Sequence, residues 1–189
     1  MFKSLRGQCL IAAKSLRDGN FYKTVVLMLE HNAQGATGLV LNRPSSVRVA
    51  HALSGHFTLP DTEEVVFMGG PVEPTALLIL HDAESSGCSD SSPAPGVFVG
   101  GSAESFEQVL LSSTSEDEGR ARFRVFSGYS GWGDGQLKEE IDRGDWLIHP
   151  ASHDLVFETD PYEVYEAALQ QFFSANDLLP YRVKDPSLN

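Results

Sequence analysis

The chain has 189 residues, of which 26 are acidic and 14 are basic, and its net charge at pH 7 is −12. This length suits one domain, which buries about 70% of its unfolded surface without cross-links. The basic residues form no run, and phosphate neutralisation supplies most non-specific affinity for DNA, so the composition argues against direct nucleic-acid binding. No apolar run approaches the roughly 20 residues that span a bilayer, and no signal-peptide core follows residues 1–7. We therefore expect a cytoplasmic protein that is not attached to a membrane.

The two cysteines have different surroundings. Cys9 belongs to an apolar run, whereas Cys88 belongs to a loop rich in serine and glycine. Neither has a second cysteine or a histidine at the spacing of metal ligands. We expect both thiols to be reduced and unpaired, and we expect neither a metal nor a cofactor.

The first half of the chain is predicted to consist mainly of strands. Residues 24–42 are typical of a hairpin, because two apolar segments flank a short turn. The last two strands of this half are joined by a stiff turn at Gly69-Gly70-Pro71. The predicted strands cover residues 7–13, 24–30, 36–42, 64–68 and 75–81, and a short helix covers residues 47–53.

The second half is predicted to mix helices and strands. It contains a Ser-rich loop at 82–95, strands at 96–99, 121–127, 146–149 and 155–157, and helices starting at Ser102, Gln136 and Asp160. Ser102 and Asp160 are typical N-cap residues, and Gly144 is placed to end the middle helix. Residues 121–127 alternate between polar and apolar side chains, which predicts a half-exposed strand. The succession predicts an α+β fold with a mixed, largely antiparallel sheet and helices packed outside it.

The stretch Gly128-Tyr-Ser-Gly-Trp-Gly-Asp-Gly135 concentrates glycine, which occupies four of its eight positions. Such a density indicates positive φ angles or a second backbone pressed close. We therefore predict a tight turn in which Trp132 is a buried plug whose indole N–H meets a buried acceptor. Gly131 and Gly133 are expected to let another segment approach the ring.

Four stretches together resemble the YqgE/AlgH family of bacterial proteins. They are residues 10–21, residues 30–44, Gly69-Gly-Pro71 with His81, and Gly128-Tyr-Ser-Gly-Trp-Gly133 with Gly135-Gln-Leu137. The resemblance implies a single domain over residues 1–189, with a core at about 7–173 and a C-terminal tail at 174–189. It also implies a bifurcated sheet that closes partly into a small barrel surrounded by helices.

The resemblance implies no established reaction. The family name is attached to a proposed role in regulating alginate synthesis, and no DNA-binding motif is present in this chain. Two features depart from the family pattern: Thr37, where many members have a larger apolar residue, and the Ser-rich loop at 84–95.

His31 and His81 each end an apolar strand, with Glu30, Asn32 and Asp82 beside them. Such groups could form an acid/base or metal cluster, but strand-end His and Asn also commonly cap loop backbone. No His-x-His or His-x₃-His pair supports the metal alternative, so the residues favour the structural role.

Other catalytic motifs are absent from the glycine-rich stretch. It lacks the Lys-Ser/Thr of a phosphate-binding loop, and Trp132 occupies the position of the second glycine of a G-x-S-x-G nucleophile elbow. Asp134 precedes a helix, which indicates a cap that complements the helix dipole.

Two classes of function remain. The first is a non-catalytic binding or regulatory protein with an unknown protein or small-molecule partner. The second is a hydrolase or transferase that uses His31 or His81 as a base in a cleft beside the glycine-rich stretch. An open cleft that holds both histidines, a carboxylate and Trp132 would favour this second class. The candidate binding surface comprises Glu30, His31, Asn32, Asn42, Arg43, Gly70, Pro71, His81, Tyr129, Trp132 and Asp134.

Overall fold

The computed structural model describes residues 3–55, 57, 63–83, 90–114 and 120–176. The strands are β1 Gln8–Ala12, β2 Val25–Asn32, β3 Gly35–Val40, β4 Pro44–Arg48, β5 Val65–Met68, β6 Val72–His81, β7 Ser91–Ala94, β8 Val97–Gly100, β9 Phe123–Gly133 and β10 Trp146–Pro150. The helices are α1 Val49–Ala52, α2 Ala103–Ser113, α3 Gln136–Asp142 and α4 Val164–Ala175, with a π-helical turn at Asp154–Glu158.

The strands form a curled, branched sheet. Its main path runs β10-β1-β2-β3-β9-β6-β8-β7, with every pair antiparallel, while β5 pairs in parallel with β9 and antiparallel with β4. The far strand β7 returns towards the start of the sheet, where Arg6 Nη2 donates to Ser91 Oγ at 2.5 Å. The predicted α+β fold, with its mixed and partly barrel-like sheet, is confirmed.

The sheet branches at Gly128 on β9. Before this residue, Val125–Ser127 pairs with β5, and after it Ser130–Gly133 pairs with β3 on the same edge. Gly128 has a φ of +68°, and a Cβ there would lie 2.6 Å from the carbonyl oxygen of Gly70. Only glycine combines this φ with such a close approach at little cost. The two glycine motifs of the sequence therefore meet at the branch.

Two apolar cores lie on the two sides of the sheet. The inner core fills the curl and includes Leu10, Leu27, Leu39, Leu80, Phe126 and Leu155. The outer core lies under α1 and α2 and includes Val49, Val66, Ile79, Phe106, Val109 and Val125. Adjacent β9 residues Val125 and Phe126 belong to different cores, as the alternation of side chains along a strand requires.

Several local predictions are confirmed. The Ser102 hydroxyl caps α2 by accepting the Ser105 N–H at 3.1 Å, and residues 25–40 form the predicted antiparallel hairpin. Gly144 follows α3 with a φ of +85°, as expected of a residue that ends a helix.

The prediction of a turn at residues 128–133 is wrong. These residues continue β9 without interruption, and 121–127 is not half-exposed, because residues 124–126 are buried on both faces. Even Arg124 is only 8% exposed: its guanidinium lies 5.1 Å from the Phe67 ring, and its Nη2 donates to the Thr159 carbonyl. Burial lowers the pKa of Arg124. β9 is a central strand with neighbours on both edges and with helices over one face. Its alternating pattern predicted a half-exposed strand because the sequence does not show these neighbours.

Four other predictions need correction. The apolar triplet Leu155–Phe157 lies in the π-helical turn, not in a strand, since three apolar residues do not distinguish the two. The predicted helix at 47–53 begins as β4, and the predicted loop at 82–95 contains β7, while its residues 84–89 lie outside the described part. The last helix starts at Val164, after a turn in which Asp160 accepts the Tyr162 N–H.

Candidate functional site

The two faces of β9 differ after the branch. From Phe126 to Gly133, the even-numbered residues are buried and the odd-numbered residues are partly or fully exposed. Successive side chains of a strand point to opposite faces, so one face of this segment is covered and the other is not.

Trp132 lies on the covered face and is 5% exposed. Its indole N–H donates to Glu140 Oε2 at 2.9 Å, and Trp146 donates to the same oxygen at 2.8 Å. The Phe21 ring stacks on Trp132 with a centroid separation of 5.8 Å. The predicted buried plug with a bonded indole is confirmed, whereas Glu140 and Trp146 were not found from the sequence because their pairing depends on tertiary packing.

The glycines that need their small size are not the predicted ones. A Cβ at Gly133 would meet nothing within 4 Å, and one at Gly131 would make ordinary contacts of 3.5 and 3.8 Å. At Gly70, by contrast, a Cβ would lie 2.3 Å from the Tyr129 carbonyl. The close backbone approach therefore occurs at the branch, where Gly70 and Gly128 pack, and not beside Trp132.

The uncovered face is a shallow surface along the second half of β9, defined by Thr37, Val72, Tyr129 and Gly131 and flanked by Glu30 and Glu73. Gly131 is its exposed floor, where an added Cβ would lie 3.5 Å from Val72 Cγ2 and 3.8 Å from Tyr129 Cε2. Thr37 and Glu30 continue the row of Gly131 across β3 and β2. Of these residues, only Glu30 and Tyr129 were candidates from the sequence.

Glu73 lies at the edge of the uncovered face in an unusual backbone conformation. Its φ is +44°, in the left-handed region that favours glycine. Its carboxylate accepts the Tyr129 hydroxyl at 3.4 Å. Burial raises the pKa of Tyr129, and the Glu73 carboxylate raises it further. The phenol therefore stays protonated at neutral pH and can keep its hydrogen bond to Glu73.

His31 has a structural role. Its Nδ1 accepts the Leu5 N–H at 3.0 Å, and burial lowers its pKa, which favours the neutral ring that this bond needs. Its neighbour Asn32 accepts the Gln34 N–H in the hairpin turn. These contacts fit the predicted capping of loop backbone.

His81 belongs to a buried polar network of its own. It is fully buried, its Nε2 is 2.9 Å from Asp90 Oδ2, and Asp90 Oδ1 accepts the Ser105 hydroxyl. His81 pairs with Phe123, and Trp132 lies nine residues further along β9, or about 30 Å at the usual rise of a strand. Because His81 is fully buried against Asp90 and Trp132 is buried against Glu140, these two side chains do not line one open cleft with His31.

A second histidine–carboxylate pair was missed in the sequence. His153 Nε2 lies 3.0 Å from Asp82 Oδ2, and the other oxygen of Asp82 accepts the Arg122 N–H at 2.7 Å. Arg122 also forms an ion pair with Glu158. This network attaches the π-helical turn to the end of β6 and the start of β9. The sequence did not indicate the pair, because His153 and Asp82 are 71 residues apart.

The remaining candidates are dispersed. Asn42 bonds the Val25 N–H and the Lys23 carbonyl, and the Arg43 guanidinium donates to the Tyr22 carbonyl. Gly70 and Pro71 lie at the branch beside Tyr129. Asp134 is exposed, and the predicted cap is wrong, because Gly135 is the N-cap of α3 and no side chain caps it.

Within the described ranges, no three His, Cys, Asp or Glu residues are grouped to hold a metal ion. No helix in the same ranges is long and apolar enough to cross a membrane. Cys9 is an unpaired buried thiol, whose pKa burial raises to about 12, and Cys88 lies outside the described part.

The chain is similar to proteins of one bacterial family over most of its length. The AlgH-like family profile matches residues 9–175. A UPF0301 protein of Chlorobium limicola is 37% identical over 163 residues, covering 86% of this chain and 83% of the relative. A UPF0301 protein of Ralstonia pickettii is 37% identical over 171 residues, covering 88% and 87%.

Solved structures show the same relationship. The solution structure of the AlgH protein from Pseudomonas aeruginosa superposes with a TM-score of 0.73 at 30% identity, covering 90% of this chain and 92% of that one. The crystal structure of protein DIP2367 from Corynebacterium diphtheriae, at 22% identity and a TM-score of 0.70, has the same fold. The resemblance found in the sequence is thereby confirmed, and the chain belongs to the AlgH-like family.

Proposed function

We propose that this protein is a non-catalytic binding protein with a regulatory role, and that the uncovered face is its recognition surface. The observation that supports this is the exposure of one face of β9 after the branch, where Gly131 leaves a floor between Tyr129 and Val72. A half-buried aromatic ring beside a bare backbone is suited to contact with a partner.

The catalytic alternative has less support. A general base must lie within hydrogen-bond reach of its substrate, together with the groups that assist it. His31 bonds the backbone of Leu5, and His81 is fully buried against Asp90, so each ring is already engaged within the protein. Each histidine holds part of the scaffold.

The partner is expected to be a cytoplasmic protein and not a nucleic acid. The net charge of −12 repels phosphates, which supply most non-specific affinity for DNA. Salt-sensitive micromolar binding to random duplex DNA in a gel-shift experiment would contradict this part of the proposal.

Photo-crosslinking in the native host tests the recognition surface. A benzophenone side chain at position 131 fits, because a Cβ there makes only ordinary contacts. The matched control is position 19, an exposed glycine in a turn where a Cβ would meet nothing within 4 Å. We expect a discrete crosslinked product from position 131 and none from position 19. Equal products from both positions, or none from position 131, would overturn the proposal.

A further inference from the structure

We infer that the uncovered face binds an arginine side chain carried by an extended segment of a partner protein. This inference rests on the proposed function, because it names the chemistry of the partner that the same surface takes. It is carried by the bare floor at Gly131, by two carboxylates and by the position of one aromatic ring.

The shape of the surface favours a flat group on a polypeptide. Gly131 leaves a bare backbone position within van der Waals reach of Val72 and of the Tyr129 ring. A planar guanidinium fits over a bare backbone beside an aromatic ring, on which it also stacks favourably. Small-molecule sites are concave and bury most of their ligand, whereas this surface is an open sheet face, so a protein segment suits it better.

The charges on the surface call for a cation. Glu73 contacts Tyr129 at one edge, and Glu30 lies in the row of Gly131, two strands away, at about 10 Å. Among the described residues, neither carboxylate takes part in an ion pair with a Lys, Arg or His side chain. The net charge of −12 would further attract a basic partner.

Arginine is favoured over lysine by the arrangement of acceptors. The Glu73 carboxylate can accept two parallel N–H bonds from a guanidinium that lies over the Tyr129 ring, a geometry that an ammonium group cannot reproduce. Glu73 also keeps a carboxylate at a position whose φ of +44° favours glycine. Backbone outliers of this kind cluster at functional sites.

The test measures binding of two capped peptides, (Gly-Arg)₄ and (Gly-Lys)₄, to the full chain by fluorescence anisotropy. Glu73→Gln removes the carboxylate, and Gly131→Leu fills the floor. The control Glu107→Gln removes the same charge from the exposed side of α2. Thermal melts of all variants check that each one is folded.

We expect the wild type to prefer the arginine peptide, and we expect Glu73→Gln and Gly131→Leu each to raise its Kd about five- to tenfold. Glu107→Gln should change the Kd less than about twofold. Equal losses in Glu73→Gln and Glu107→Gln, or equal binding of both peptides, would overturn the inference. If the crosslink at position 131 forms but the arginine peptide does not bind, the proposed recognition surface is supported and the arginine inference is contradicted. If the crosslink does not form either, both proposals are contradicted.

Discussion

The two halves of β9 have the same strand geometry and different surroundings. Before the branch, residues 124–126 are buried on both faces, between the inner core and the layer of α1 and α2. After the branch, Trp132 still packs inward, while Tyr129 and Gly131 lie on a face that no described helix covers. One strand therefore stabilises the core along its first half and presents a solvent-exposed face along its second half.

The branch glycine separates the two halves, and its replacement should be strongly destabilising. Gly128→Val would place a side chain at a φ of +68° and 2.6 Å from the Gly70 carbonyl oxygen. Backbone strain and the clash together should cost at least about 3 kcal/mol of unfolding free energy. Urea denaturation measures the loss.

Gly131→Val and Gly133→Val are the matched controls for this variant. Both positions have room for a Cβ, so each should change the unfolding free energy by less than about 1 kcal/mol. The expectation that Gly133 must stay small to admit a segment beside Trp132 is reversed by the open space around it. If Gly128→Val and Gly131→Val were equally stable, the branch would not depend on glycine.

The second prediction compares the two faces within the second half of β9. Trp132→Ala should cost about 3 to 5 kcal/mol, because it leaves a cavity beside Phe21 and Trp146 and removes one donor from Glu140. Tyr129→Ala, on the uncovered face, should cost less than half as much. Thermal melts of both variants check this, and a Trp132→Ala melt identical to that of the wild type would contradict the burial of the ring.

The third and smallest effect concerns pH. Burial lowers the pKa of His31 in the folded chain below its ordinary value of about 6.5. At pH values between the folded pKa and about 6.5, the unfolded chain therefore binds more protons than the folded one. The stability contributed by neutral His31 is therefore complete above about pH 6.5 and is lost as the pH falls towards the folded pKa. His31→Asn keeps an acceptor for the Leu5 N–H without a titrating group, so it should lose less stability on acidification.

Urea denaturation at pH 7.5 and 5.5 compares the two proteins. Burial also lowers the pKa of His149, but that residue is present in both proteins and its contribution cancels. If wild type and His31→Asn lost the same stability between the two pH values, the role of His31 as a neutral acceptor would be contradicted.

Local patterns predicted much of the fold, and tertiary contacts decided the rest. The hairpin at residues 25–40, the Ser102 cap and the burial of Trp132 follow from apolar runs, a hydroxyl before a helix and an aromatic among glycines. The continuation of β9 had a signal in the alternation of Ser130 and Trp132 with Tyr129 and Gly131. The four glycines in this stretch favoured the prediction of a turn instead, because glycine is more common in turns than in strands.

The candidate site was less predictable because its residues come from separate strands. Glu73 and Val72 lie beside Tyr129 only because β6 pairs with β9. The first residue of β9 follows Val72 by more than fifty positions in the sequence. Positive φ at Gly128, in contrast to Gly131 and Gly133, depends on the approach of Gly70, which no local pattern contains. His81 was correctly placed at the end of a strand, but its distance from Trp132 depends on the length of β9.

The branch also has a consequence for how the chain is made and folded. Gly38 pairs with Ser130, about ninety residues later, so β3 lacks its partner until most of the chain has left the ribosome. Until then, the early hairpin presents a free edge that invites pairing with other chains. Folding dominated by such distant contacts is slow, and we expect this protein to need protection by chaperones during synthesis more than a helical protein of the same length.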